Sequence, residues 1–414
     1  MKRTTHNAIV NIAGEATWGI SASLIASATV LTLTLQSFGA NSIMIGSIVA
    51  IESGLIILPQ ILGIYIFRSR RKRKMQIVIW HWVVMLPMLA AISGILWFSP
   101  HFSPGAVRWA VLILFACFIL SIGTVMAVWM DWMACLFPVQ KRGTVMGIGF
   151  GLSALMGTLG TLFVGELLRT HQSARTFSIL YACACVVGFI SLAIFVNIKE
   201  TFDADQPDSL NTTNPRELIA KIWESLSHVP FKTFILARIL MSAGFSMMPF
   251  VTIYYMSKDG GGLTPNIVVW CSAAQTAGIF IANIGAGRLG DIRGHKAGML
   301  IGTIAQIVAL AILCITAGPI SALCAFLGAG LGMGSCSISH YNMMFETCPH
   351  DNRIAHITAG NLIFSLGTIA VPIMGGFVAE SFGVKTLFGG SLCVSVIALF
   401  VIVLFVKEPR KAVV

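Results

Sequence analysis

Charge is what this chain has least of. Asp, Glu, Lys and Arg together make up 10% of its 414 residues, against about 25% in a soluble globular domain. Long polar stretches are scarce too, the longest running roughly over 199–229. Those two absences exclude a soluble catalytic or binding domain. No Gly-rich phosphate loop ending in Lys-Ser or Lys-Thr is present, so nothing points to ATP hydrolysis. The ten cysteines show no metal-ligand spacing with the nine histidines. Most of them, Cys117, Cys183, Cys271 and Cys393 included, fall inside apolar runs and read as small buried hydrophobes. No metal site and no cofactor is expected.

What is present is apolar. Hydrophobic residues make up 56% of the chain and its mean hydropathy is +0.86. A membrane span needs about 20 mostly apolar residues. Twelve stretches qualify: 9–37, 43–67, 75–98, 108–136, 143–168, 176–197, 230–257, 265–288, 297–317, 319–345, 356–381 and 386–406. Met1-Lys2-Arg3 before the first of them mimics a secretory signal. That run is too long, contains Glu15 and lacks a clear cleavage site, so it reads as a first span.

The net charge of +11 does not imply nucleic acid, because the bases sit at alternate ends of the spans. Residues 68–74, Arg-Ser-Arg-Arg-Lys-Arg-Lys, mark one side as cytoplasmic. Of the 27 Lys and Arg only Arg108, Arg169, Arg175, Lys258 and Lys385 fall on the other side, and Arg238 lies within a span. An even number of spans then places both termini in the cytoplasm. The expected fold is an all-α polytopic membrane protein of twelve helices.

The middle polar stretch divides the chain. Asn214 and Pro215 have the types of a helix cap and first helical residue. Leu218, Ile219, Ile222, Trp223 and Leu226 follow at helical spacing. An amphipathic helix along the inner membrane surface is expected there. The two sides of this linker echo each other. Pro138–Arg142 follows the fourth span as Pro349–Arg353 follows the tenth. Phe163–Glu166 ends the fifth as Phe377–Glu380 ends the eleventh. Two six-helix bundles, 1–197 and 230–414, joined by 198–229, account for this order.

The densest group of charges between two spans is Gly287-Arg288-Leu289-Gly290-Asp291-Ile292-Arg293-Gly294-His295-Lys296. It reads as a short charged hairpin whose Asp291, Arg293 and Lys296 must stay wet or paired at a membrane face. Gly294 suits a tight turn at positive φ, and Gly287 suits close approach of a neighbouring helix. Gly143, Gly147 and Gly151 give the fifth span a face of small residues for packing.

This pattern, G-x-L-x-D-x-x-G-x-K, resembles the loop signature of the major facilitator superfamily, where the eighth helix turns into the ninth. In the first half Gly63, Arg68, Arg71 and Lys72 match the same signature, while Phe67 stands at the acidic position and Arg70 at the second glycine. The resemblance implies two bundles related by a parallel repeat around a central cavity. It also implies a cytoplasmic gate in which Asp291 meets the start of the fifth span, pairing with Arg142 and favouring that helix's positive end. Arg353 is the related base of the second half. The alternative is a static loop pair that only stabilises topology.

Ionisable side chains in hydrocarbon cost several kcal/mol, so each is a candidate site residue. Glu52 falls near the midplane, where a carboxyl is suited to taking up and releasing a proton; its alternative is a hydrogen-bonded Glu in helix packing. Glu15 and Arg238 occupy related positions in the first and seventh spans and are candidates for a bridge across the cavity, or for separate snorkelling. Asp131 and His340 are candidate polar groups of the inner cavity, with Asn342 the counterpart of Asp131. Trp129 and Trp132 flank Asp131, for stacking on a substrate or for the interfacial belt. Gln275 and Asn361 are candidate cavity linings, or ties between helices.

The function these features favour is secondary active transport of a small solute by alternating access, coupled to a proton through Glu52 or Glu15. An acidic cavity would suit a cationic solute; Arg238 and His340 would suit an anionic one. A receptor or assembly protein on a transporter fold is the alternative, and a membrane enzyme built from Asp131, His340 and His81 is a third reading without motif support. The chain is expected to be a monomer in the plasma membrane, with the bilayer and a small solute as partners, no nucleic acid, no enzymatic activity, and an ion gradient as its energy source.

Overall fold

A computed structural model of the chain describes residues 2–56, 59–67, 73–200, 220, 223–348 and 353–409. Among those residues the regular structure is helical, without a strand. The reason is the solvent: hydrocarbon offers no partner to a peptide N–H or C=O, and a helix satisfies both within itself.

The elements follow the apolar runs. Helix α1 covers Lys2–Leu24 and, after a π turn at Ser27–Leu31, α2 covers Thr32–Ser37. Next come α3 (Ser42–Leu55), α4 (Gln60–Ile66), α5 (Arg73–Trp80) and, after a π turn at His81–Met85, α6 (Leu86–Trp97). Helices α7 (Pro104–Leu136), α8 (Val139–Thr170) and α9 (Ala174–Val196) follow. Beyond them lie α10 (Val229–Gly244), α11 (Met248–Met256), α12 (Pro265–Arg293), α13 (His295–Ile315), α14 (Pro319–Thr347), α15 (Arg353–Phe382) and α16 (Val384–Leu404). Local chemistry sets the starts. Asn41 accepts from the Met44 N–H at α3 and Ser173 from the Thr176 N–H at α9, while Pro occupies the first turn of α12 and α14.

Among the described residues eight helices are long and apolar enough to cross a membrane by length and composition. The expected second and seventh spans are not single helices. The second is divided into α3 and α4, of 14 and 7 residues, and the seventh into α10 and α11, of 16 and 9. Each piece is shorter than the ~20 residues that cross the hydrocarbon. Pro59 caps α4 and Pro249 lies in the first turn of α11. A proline contributes no N–H to a helix and clashes with the preceding turn. The amphipathic helix expected over 214–226 and most of the basic segment 68–74 fall largely outside the described residues.

The chain forms two compact units, Met1–Leu136 with Leu152–Thr213, and Phe137–Gly151 with Asn214–Val414. The first turns of α8 therefore belong to the second unit. Each unit carries apolar side chains on its outside, such as Leu162 and Phe163 in the first and Ile320 and Phe400 in the second. Lipid has no hydrophobic preference for one apolar surface over another, so close packing and buried hydrogen bonds hold the helices together. In the first unit Ser21 donates to the Ala184 carbonyl at 2.7 Å and Ser191 to the Gly14 carbonyl at 2.9 Å, tying α1 to α9. In the second unit the buried Gln306 donates from α13 to the Met241 carbonyl of α10 at 3.2 Å. Leu310, Phe326 and Phe388 belong to a core cluster of that unit.

Candidate functional site

The charged group at 287–296 is not the loop its composition indicates. Helix α12 runs unbroken through Asp291 to Arg293, and α13 begins at His295. The turn is made by Gly294 alone, at φ +91°. Charges and two internal glycines, Gly287 and Gly290, are tolerated in a helix at about 1 kcal/mol per glycine, whereas the backbone conformation of Gly294 stops it.

Asp291 is 8% exposed. Its carboxylate accepts from the Gly143 N–H at 2.9 Å and the Thr144 N–H at 2.6 Å, near the start of α8 and inside the second unit. The imidazole of His295 lies 3.9 Å from the same carboxylate. The approach depends on missing side chains. A Cβ on Gly287 would collide with the Gly143 carbonyl, and one on Gly147 with the Asn283 carbonyl. The expected small-residue face of α8 is thus the surface that meets α12. Arg142 places its guanidinium 5.2 Å from the Phe345 ring centroid, a cation–π contact. Arg293 is exposed. The side chain of Arg353, the first residue of α15, lies outside the described set.

Lys296 is held at both ends. Its N–H donates to Glu408 Oε2 at 2.9 Å, and its Nζ donates to the Val403 carbonyl at 3.0 Å. The first unit repeats this arrangement. The Lys74 N–H donates to Glu200 Oε1 at 2.8 Å, and Lys74 Nζ donates to the Val196 and Ile198 carbonyls, each at 2.9 Å. In each unit a glutamate just past the last helix caps the start of an earlier helix, and the lysine there returns to carbonyls at the last helix's end. Both halves favour the arrangement electrostatically, acid at a helix start and base at a helix end. Composition and spacing alone missed it. The available signal was the dipeptide Lys-Glu, at Lys199-Glu200 and Lys407-Glu408, following α9 and α16.

Asp131 also differs from expectation. It forms a 3.6 Å ion pair with Arg73, and both side chains are 2% exposed. The sequence places Arg73 in the solvated basic segment; the fold buries it at the start of α5. Trp132, expected in the interfacial belt or against a substrate, is buried and donates its indole N–H to Glu200 Oε1 at 2.6 Å. Arg73, Lys74, Asp131, Trp132 and Glu200 therefore make one polar cluster in the first unit. Burial pushes the Glu200 carboxyl up from its ordinary value, against the opposing pull of the Lys74 and Trp132 donors and the nearby Lys74 and Arg73 charges.

The remaining candidates lie deeper in the helices. Glu15 of α1 is 8% exposed and makes no hydrogen bond or ion pair among the described residues. Glu52, in the last turn of α3, is half-buried. In the second unit Arg238 of α10 donates from Nε to His340 Nδ1 at 3.1 Å, across to α14, and lies 4.9 Å from the Phe364 ring centroid. Gln275 is half-buried, with its amide nitrogen 3.1 Å from Met333 Sδ, a weak acceptor. Asn342 is fully buried and donates to the Ile338 carbonyl of its own helix at 2.9 Å. Asn361 is half-buried in α15. Among the described residues no group of three or more His, Cys, Asp or Glu is placed to hold a metal ion.

Comparison with known proteins follows the same lines. The family model described as Major Facilitator Superfamily matches residues 234–414, and the fold of solved major facilitator transporters matches along the whole chain. The fucose:proton symporter FucP of E. coli superposes with a TM-score of 0.75 at 12% identity, over 98% of this chain and 100% of that one. This chain has the major facilitator fold. The proton:xylose symporter XylE gives a TM-score of 0.73 at 15% identity over 99% of both chains. The human organic anion transporter MFSD10 gives 0.69 at 12% identity, over 96% of this chain and 99% of that one. None of the curated protein sequences compared with it matches. At these identities the structural likeness speaks to fold. Described helices long and apolar enough to cross a membrane make this a multi-pass membrane protein, and Gly287–Lys296 lies within the residues that match the family model, at the end of α12 and the start of α13.

Proposed function

We propose that this chain is a secondary active transporter of the major facilitator kind, moving a small solute by alternating access and driven by a proton gradient. The observation that carries the reading is a transporter fold that covers 98% of the chain and places the signature acid, Asp291, on buried peptide N–H groups. In this reading twelve spans cross the plasma membrane as two six-helix halves, with both termini in the cytoplasm. The protein works as a monomer without a cofactor, and not as an enzyme. Asp291 holds the start of α8 against α12 when the cytoplasmic side is shut, and releases it when that side opens. Glu15 or Glu52 carries the coupling proton. An ionised carboxylate without a partner costs several kcal/mol in a membrane interior, and protonation removes that cost. Glu15, buried without a hydrogen-bond partner among the described residues, fits this role better than the half-buried Glu52.

Proteoliposomes loaded with a pH-sensitive dye test this. Solutes are added outside one at a time, and a coupled solute changes the internal pH. Glu15→Gln is expected to abolish proton movement while retaining exchange of the solute across the membrane. Proton movement that survives both Glu15→Gln and Glu52→Gln removes these residues from the coupling path. Failure of every solute to move under any imposed gradient removes the transporter reading itself.

A further inference from the structure

The second unit holds a buried cation that the described residues leave half satisfied. Arg238 lies nine residues beyond Val229, roughly 14 Å along α10 at ~1.5 Å per residue, and is 7% exposed. No carboxylate of the described residues is within ion-pair distance of it. Its Nε donates to His340 Nδ1 at 3.1 Å. A ring nitrogen that accepts carries no proton, so this imidazole is neutral with its hydrogen on Nε2. The pair thus bears a single positive charge.

Aromatic rings surround that charge. Phe364 lies 4.9 Å from the guanidinium, Phe234 stacks on His340 at 5.8 Å, and Tyr341 meets the same imidazole edge-on at 5.5 Å. A desolvated cation–π contact is worth about 2 kcal/mol, less than the several kcal/mol that an uncompensated buried ion costs. The rest of the compensation has to come from elsewhere. The two terminal nitrogens Nη1 and Nη2 make no hydrogen bond to the described residues, and neither is sealed from solvent. They form the open side of the guanidinium fork, the geometry that takes a carboxylate through two parallel hydrogen bonds.

We propose that Arg238, oriented by His340, is the anion-binding group of the transport site, and that the solute is a small monocarboxylate with an apolar body. This rests on the transporter reading above. One positive charge balances one negative charge in a medium of low dielectric, and a dianion would bring an uncompensated charge with it. The rings of Phe364 and Tyr341 give the apolar body a surface to meet. His340 is a positioning residue, fixing the plane of the fork through Nε.

Binding to the purified full-length protein in detergent tests the assignment, with acetate, butyrate and benzoate as probes and benzamide, benzylamine and inorganic phosphate as controls. At least one carboxylate is expected to bind saturably and raise the Tm, with every control at least tenfold weaker. Arg238→Lys keeps the charge but loses the fork, and is expected to weaken that carboxylate at least tenfold. His340→Phe is expected to weaken it while leaving the selectivity for carboxylate over amide. Arg238→Met is expected to abolish binding. If Arg238→Met does not fold, Arg238→Lys decides the matter, its folding verified by gel filtration and Tm. Absence of binding by all three carboxylates overturns the proposal. Equal binding of benzamide or phosphate, or wild-type affinity in Arg238→Lys, also overturns it. Proteoliposome flux separates the two readings. Flux of a cationic or neutral solute with no response to carboxylates removes the anion site and keeps the transporter. Arg238-dependent carboxylate binding without any flux does the reverse.

Discussion

Replacing Asp291 by Asn changes the charge at the α12–α8 contact and little else. The wild-type carboxylate accepts from two peptide N–H groups, Gly143 at 2.9 Å and Thr144 at 2.6 Å, from a buried position. Hydrogen bonds to a charged acceptor contribute about 1.5–3 kcal/mol each, and neutral ones about 0.5–1.5. An amide keeps one acceptor oxygen, so one bond is weakened, and the other is lost because its NH2 faces an N–H. The attraction of the carboxylate for the helix start, on the order of 0.3–1 kcal/mol, goes as well. The sum is about 3–5 kcal/mol, which corresponds to roughly a 150- to 5,000-fold shift in the closed-to-open ratio of this contact. Amide hydrogen exchange over residues 139–151 reads it directly. Asp291→Asn is expected to speed exchange in that segment by such a factor, with exchange in α1 and α9 unchanged. Wild-type protection of residues 139–151 in the variant would refute the reasoning, because the carboxylate would then not be what holds α8 there.

The buried pair Arg73–Asp131 should behave asymmetrically. Arg73→Met leaves a buried carboxylate without its guanidinium and is expected to cost about 3–5 kcal/mol, read as a lower Tm, while Arg73→Met with Asp131→Leu recovers most of it; equal loss in the single and double variants would show that the pair is not the cause. Gly294→Ala places a Cβ at φ +91° and against the Glu408 carboxyl, and is expected to cost about 1–3 kcal/mol; an unchanged Tm would mean that the joint between α12 and α13 rebuilds without penalty. Glu200 gives a pH dependence. Because burial raises its folded-state pKa, its contribution is fully present below the unfolded glutamate value and is lost as pH rises through the folded value. Glu200→Gln should therefore flatten the decline of Tm with rising pH in that window, and identical slopes in both proteins would contradict the assignment.

Some of the candidate site was legible because the demand falls on a single residue. Gly294 had to be glycine for its φ, and Gly287 for the close approach of α8, whatever else the chain does. The composition of the charged run around them is that of a loop, but helix α12 absorbs charges at its end as readily as a loop does, and only Gly294 breaks it. For Asp131 and Arg73 each local segment indicates its own surroundings, a cavity for one and a wet basic loop for the other. Neither segment records that the start of α5 meets the end of α7. The caps by Glu200 and Glu408 were equally hidden, since each joins residues more than a hundred positions apart, and only the repeated Lys-Glu pair hinted at them.

By itself the sequence determined the solvent and hence the class of fold. Long runs with so few charges have to lie in lipid, lipid requires helices, and the spacing of bases orders them along the chain. What the tertiary structure alone decided is which polar groups are spent on one another and which stay open. Helix rotation and neighbour choice are set by packing of distant surfaces, and no local pattern encodes them. That packing gives Asp131 to Arg73 and the start of α8 to Asp291, and it leaves the outer fork of Arg238 without a hydrogen-bond partner among the described residues.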